Sequence, residues 1–243
     1  MRRRDVFVWG GVAAIAISIP PILRRVDKDL VFEPIAGQPG FRRLVQGSTT
    51  AVQPVFLGLT TTQENTANAG LPDDLRPLLY RGLSLEDERI PVVAFSDYFC
   101  PYCAELDRRL IRLRDAGAPI ALRFQPLPVL GERSRRLTRI ALAAGRQSNF
   151  EPIHIDLMHR GLRPGPSALS AFAERHGLNA DQLKADAASR KTDRDVQKAL
   201  ALGRAMGVFA TPGTLVGRTL VIGAIDDRMI ERLLSLESAR ATG

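Results

Sequence analysis

Ile90-Pro91-Val92-Val93-Ala94-Phe95-Ser96-Asp97-Tyr98-Phe99-Cys100-Pro101-Tyr102-Cys103 is the stretch whose reading decides the fold. Residues 90–95 form a nearly continuous apolar run, as expected of a strand buried on both faces of a sheet. A helix is expected next, because Pro101 suits a first turn, where a missing N–H leaves no acceptor idle. Cys103, Leu106, Leu110 and Leu113 then recur at three and four residues and mark its inward stripe, while Arg108, Arg109, Arg112 and Arg114 fall mostly on other faces. Gly117 and Pro119 end the helix, and Ile120-Ala121-Leu122-Arg123-Phe124-Gln125 reads as a second strand. Strand, helix and strand together make a right-handed βαβ unit.

Cys100 and Cys103 are the only two cysteines in 243 residues. With two residues between them they can close a small disulfide ring, or present one thiolate to an external disulfide and keep the second to resolve the mixed disulfide. A stabilising staple is the weaker reading, since so small a ring removes little unfolded-state entropy. A structural zinc site needs four ligands, and no second Cys pair or paired His spacing supplies them, so no metal is expected. His154, His159 and His176 read as surface or helix-face residues without a ligand role.

At a strand-to-helix turn, Cys100 would stand where free backbone N–H groups and the positive end of the macrodipole favour an anion. This makes Cys100 the exposed nucleophile and Cys103, one turn on and facing the core, the resolving thiol. The redox-active disulfide is then the reactive group, and no further cofactor is expected.

The chain has a formal charge of +8 and is 45% apolar, enough for one large domain or a domain with appendages. Its Arg residues are spread out and interrupted by Asp and Glu, without aromatic interleaving, which argues against nucleic-acid binding and for solvated helix surfaces. The N-terminus is more specific. Arg2-Arg3-Arg4 precedes an apolar run, and Val6 to Leu23 carries no charge over 18 residues. Residues 1–25 therefore read as an export signal, and the absence of a small-x-small cleavage site favours an uncleaved membrane anchor over 6–23. Arg3-Arg4-Asp5-Val6-Phe7 resembles the twin-arginine export pattern, with Arg2 where Ser or Thr is usual. The positive-inside tendency places the chain after Arg25 outside the cytoplasm, an oxidising setting where a Cys pair can persist as a disulfide.

Residues 26–85 lack strong periodicity and read as a tether and a loosely organised extension, with one strand around Ala51 to Leu59. Residues 132–206 read as several helices in succession. Ser167 is the expected cap of one that ends at Gly177, and Thr192 with Asp195 resembles a capping box opening another that stops at Gly207. Thr214-Leu215-Val216 and Thr219-Leu220-Val221-Ile222, separated by Gly217-Arg218, carry the signature of a hairpin. A last helix starts near Asp226 and buries Ile230, Leu233 and Leu234.

Ser96-Asp97-Tyr98-Phe99-Cys100-Pro101-Tyr102-Cys103, the helical block, and Gly207-Val208-Phe209-Ala210-Thr211-Pro212 ahead of a hairpin together resemble the DsbA-like thiol:disulfide oxidoreductases of the thioredoxin superfamily, over about residues 86–237. The resemblance implies an α/β, thioredoxin-like fold over residues 86–240: a central mixed β-sheet flanked by helices, with an all-helical insertion at about 132–206. It makes Pro212 the family's cis-proline, lying beside the Cys pair, with Thr211 offering its backbone to an extended substrate chain. Pro101 and Tyr102 would tune the pair, and Pro-Tyr in place of the Pro-His of strongly oxidising members implies a milder oxidant. Ala94 stands where many members carry a buried acid, and Asp97 is the candidate to take part of that role, its ordinary reading being a turn residue. The expected substrates are cysteines of exported proteins, with a redox-recycling partner in the membrane. A reductase or isomerase, as in cytochrome maturation, and a non-catalytic peptide-binding or chaperone module with a structural disulfide are the competing functions.

Overall fold

A computed structural model describes residues 30–45, 70–83 and 89–241. The N-terminal segment 1–25 and the strand expected around Ala51 to Leu59 lie outside these. Among the described residues no helix is long and apolar enough to cross a membrane.

The sheet has six strands in the order β1-β2-β6-β5-β3-β4, where β1 is Val31–Pro34, β2 Arg42–Val45, β3 Ile90–Ser96, β4 Ile120–Pro126, β5 Gly213–Val216 and β6 Thr219–Ile222. The helices are α1 (Arg76–Leu79), α2 (Pro101–Asp115), α3 (Glu132–Ala144), α4 (Phe150–Arg160), α5 (Pro166–Arg175), α6 (Ala180–Ala187), α7 (Arg190–Ala205) and α8 (Asp227–Ala241). Strand β3 pairs in parallel with β4 across the α2 crossover and antiparallel with β5, and β5 folds back antiparallel onto β6 at Gly217. The sheet is therefore mixed, as expected for a thioredoxin-like fold.

Strand β3 is buried along its whole length except at the half-buried Pro91, because helices cover both faces. Val93 and Phe95 pack with Leu127, Leu202, Met206, Leu215 and Leu220. On α2 the inward stripe holds at Cys103, Leu106 and Leu110, while Leu113 near the helix end stays half-buried. Helices α3 to α7 are the insertion, running from Glu132 to Ala205 between β4 and β5.

Two caps differ from the sequence reading. Ser167 lies inside α5, whose preceding residue is Gly165 at φ +119°. Helix α7 starts earlier than expected because Ser189 accepts the Thr192 N–H at 3.2 Å. Thr192 is wholly buried and donates its hydroxyl to the Asp186 carbonyl at 2.6 Å, and Asp195 pairs with Arg146 at 2.7 Å. The local Ser/Thr pattern matches two frames, and tertiary partners claim the side chains of the second.

The stretch that reads as a tether contributes β1, β2 and α1. Strand β2 lies parallel to β6, and Arg42 in it donates to Thr219 at 2.6 Å and pairs with the buried Glu237 of α8 at 2.9 Å. Strands of four residues leave little periodicity to detect, and these are anchored by partners more than 170 residues away.

Candidate active site

Cys100 is the N-cap of α2, with extended backbone at φ −90° and ψ 113°, and Pro101 occupies the first helical position. The fixed φ of proline suits that position, and no acidic side chain lies in the first turn to oppose an anion there. Cys103 donates its backbone N–H to the Cys100 carbonyl at 3.2 Å, which holds the two residues in one turn. Both cysteines carry free thiols. Cys103 is completely buried, and Cys100 retains only 6% exposure, so the nucleophile expected on the surface is recessed. What is exposed is its rim: Phe99, Tyr102, Leu130 and Phe209.

The Thr211–Pro212 peptide bond is cis. Its loop lies directly against the cysteine pair, since the Cys100 Sγ donates to the Thr211 carbonyl at 3.5 Å. Gly213, which no sequence pattern singled out, follows the loop in a crowded place: a Cβ there would lie 2.8 Å from Val208 and 3.6 Å from Phe95. Residues 100, 103, 211 and 212 are thus brought together from the start of α2 and the loop before β5, which are 111 residues apart in sequence at the Cys100–Thr211 contact.

Asp97 is fully buried, and its carboxylate is occupied. Oδ1 accepts the Phe99 N–H at 2.8 Å and the Ser134 hydroxyl at 2.7 Å, and Oδ2 accepts the Leu130 N–H at 2.9 Å. The residue is more than a turn former. It fastens the cysteine loop to the β4–α3 connection and to the start of α3. Ala94 is also buried, in register with Phe124 and Thr214 in the centre of the sheet.

A second buried polar chain went unseen in the sequence, because its members are spread over β3, α2 and α4. With His154 as the Nε2–H tautomer, Tyr98 donates its hydroxyl to Nδ1 at 3.1 Å, Nε2 donates to Asp107 Oδ2 at 3.1 Å, and Ser96 donates to Asp107 Oδ1 at 2.9 Å. The ring of His154 is stacked on Phe124 at 4.4 Å, so this histidine is a core residue and not a surface one. A helical periodicity that marks position 154 as inward is the only signal that could have found it. His159 is exposed, and His176 meets Asp156 at 2.9 Å.

Burial pushes the Cys103 thiol up, and its hydrogen bond with Cys100 adds to the effect. A folded-state pKa above the unfolded value means that the reduced protein gains stability from this thiol at and below the unfolded pKa, and loses it as pH rises. Above about pH 8.5 the unfolded chain releases a proton that the native state keeps. The reduced protein is therefore expected to lose up to about 1.4 kcal/mol of stability per pH unit from this one group. Urea titrations of the reduced protein and of Cys103→Ala between pH 7.5 and 9.5 measure it, and equal slopes would refute the assignment.

The arrangement offers a thiol at a helix N-terminus, a second thiol shielded one turn on, and a cis-proline loop against the first. It is built for thiol–disulfide exchange. The family model for DSBA-like thioredoxin domains matches residues 91–235, close to the span of the sequence resemblance. A thioredoxin-like oxidoreductase from Silicibacter pomeroyi DSS-3 is 28% identical, covers 69% of this chain and 99% of its own, and superposes with a TM-score of 0.58. A periplasmic thioredoxin-like protein from Salmonella enterica serovar Typhimurium is 26% identical over 73% of this chain and 97% of its own, with a TM-score of 0.56. Proteus mirabilis ScsC shares the fold at 24% identity and a TM-score of 0.57, over 73% of this chain and 82% of its own. A search of curated protein sequences finds no match. On the family match and the geometry it explains, the chain belongs to the DSBA-like thioredoxin domain family and is a thiol:disulfide oxidoreductase.

Proposed function

We propose that this oxidoreductase works outside the cytoplasm, exchanging disulfides with cysteines of exported proteins through Cys100-Pro101-Tyr102-Cys103. The observation that carries the reading is the meeting of Cys100, at the N-terminus of α2, with the Thr211–Pro212 loop at 3.5 Å. The charge-free run from Val6 to Leu23 behind three arginines supports export, and the Salmonella relative is itself periplasmic.

In the oxidising direction a substrate thiolate attacks Cys100 Sγ of the Cys100–Cys103 disulfide. A mixed disulfide forms, and Cys103 departs with the electron pair and takes up a proton. A second substrate thiolate then attacks the substrate sulfur of that bond and expels Cys100 as thiolate, which the helix N-terminus stabilises. The substrate has lost two electrons and the pair has gained them. A redox-recycling partner restores the disulfide, and the pair itself is the only redox group the cycle uses. Thr211, two residues after the exposed Phe209, offers backbone to an extended substrate chain, while Tyr102 and Pro101 tune the thiols and Asp97 positions their loop.

Exchange measured with a dithiol peptide and with insulin tests the reading. The purified protein should turn over both, and Cys100→Ser should fall to the uncatalysed rate. Activity surviving in Cys100→Ser would sink it.

A further inference from the structure

We infer that Arg133 is a specificity element of this site, favouring substrate segments with an acidic side chain beside the reacting cysteine. The inference rests on the thiol-exchange reading and concerns which polypeptides that site prefers. The guanidinium of Arg133 lies 4.8 Å from the centroid of Phe99, the residue immediately before Cys100. Arg133 is exposed, so the stack leaves its outer donors free for a carboxylate.

Its placement is not that of a wandering surface side chain. Ser134, its neighbour in the first turn of α3, donates to Asp97 at 2.7 Å, and the same carboxylate accepts the Phe99 N–H. One buried group thus fixes both ends of the cation–aromatic pair relative to Cys100. The neighbouring acid is spoken for: Glu132 accepts from Arg139 at 3.2 Å and lies 4.0 Å from Arg135. Among the described residues no carboxylate pairs with Arg133. The remaining rim, Tyr102, Leu130 and Phe209, is exposed and apolar. A chain carrying Cys with an acidic neighbour on one side and apolar residues on the other complements this surface in charge and in hydrophobicity.

The test uses oxidised full-length protein and two cysteine peptides that differ only in Glu or Lys beside the cysteine. Each peptide thiolate attacks Cys100 Sγ, forming the mixed disulfide, and Cys103 leaves with the electron pair. Because the flanking charge also changes the peptide thiol, each rate is divided by that peptide's rate with the uncharged 2-hydroxyethyl disulfide. The normalised Glu:Lys ratio should exceed unity by about threefold at low salt, consistent with an exposed charge pair, and should shrink at high salt. Arg133→Ala should bring it close to unity and Arg133→Glu should invert it, both with unchanged thermal stability. A ratio that stays the same in the two variants overturns the inference and leaves the exchange reading standing. Failure of both peptides to react overturns both.

Discussion

Replacing Cys103 by serine is expected, in the reducing direction, to leave attack of the Cys100 thiolate on a substrate disulfide intact and to arrest the release step, so that the protein accumulates as mixed disulfides with disulfide substrates. Cys100 keeps its place at the N-cap of α2 and its contact with Thr211, because neither depends on the Cys103 sulfur. What disappears is an attacking thiol held one turn away. Well-oriented intramolecular groups reach effective concentrations of roughly 10⁵ M. Even a thiol oriented far less well than that outcompetes external thiols at millimolar levels, so the lifetime of the mixed disulfide should rise by at least about a thousandfold. Non-reducing electrophoresis of Cys103→Ser with a disulfide substrate reads this directly as a band that collapses on reduction. Cys100→Ser gives no such band, and a comparable band from it would exchange the roles assigned to the two cysteines. Since burial holds the Cys103 thiol up, resolution in the native protein should quicken as pH rises, with proton loss from Cys103 as the demanding event.

Asp97→Ala is expected to be the most damaging single change at the site for stability. It strands three donors, the fully buried hydroxyl of Ser134 and the part-buried N–H groups of Phe99 and Leu130. Each unsatisfied buried group costs about 1–3 kcal/mol, and water entering the gap recovers part of this, so a loss of about 3–5 kcal/mol is the expected outcome. Urea unfolding measures it. Asp97→Asn keeps acceptor capacity on one oxygen and should lose distinctly less. If it retains exchange activity while Asp97→Ala loses both stability and activity, the residue acts as a fastener of the loop. A variant of wild-type stability that fails only in exchange would instead make it a proton carrier.

The parts of the fold legible in the sequence were those written in one continuous pattern. Ile90 to Phe95 declared a doubly covered strand, Pro101 and the Cys103–Leu106–Leu110 spacing declared the helix, and Gly217 between two β-branched runs declared the hairpin. Cys100 and Cys103 could be read because their spacing has chemical meaning, and Pro212 because it recurs with them in a known family. What stayed hidden is held by distant partners. Arg42 finds Glu237, Asp97 finds Ser134 and Leu130, and Tyr98 finds His154, each across a separation that no local pattern encodes. The recess around Cys100 was missed for the same reason. Exposure at a helix start depends on what packs over it, here the Thr211 loop and the core around Tyr98.

The chain of hydrogen bonds from Tyr98 through His154 and Asp107 to Ser96 has a mechanical consequence. Helix α4 belongs to the insertion, yet its imidazole joins the cysteine loop to α2 in an unbroken relay of buried groups. Swinging α4 away from the thiols would strip partners from a tyrosine, a histidine and a carboxylate at once, at about 1–3 kcal/mol for each. Helix α4 is therefore tied to the cysteine loop and opposes opening of the insertion at this point. It is a wall beside the thiols, and a substrate segment that reaches Cys100 along the Phe99, Tyr102, Leu130 and Phe209 rim shapes itself to the enzyme.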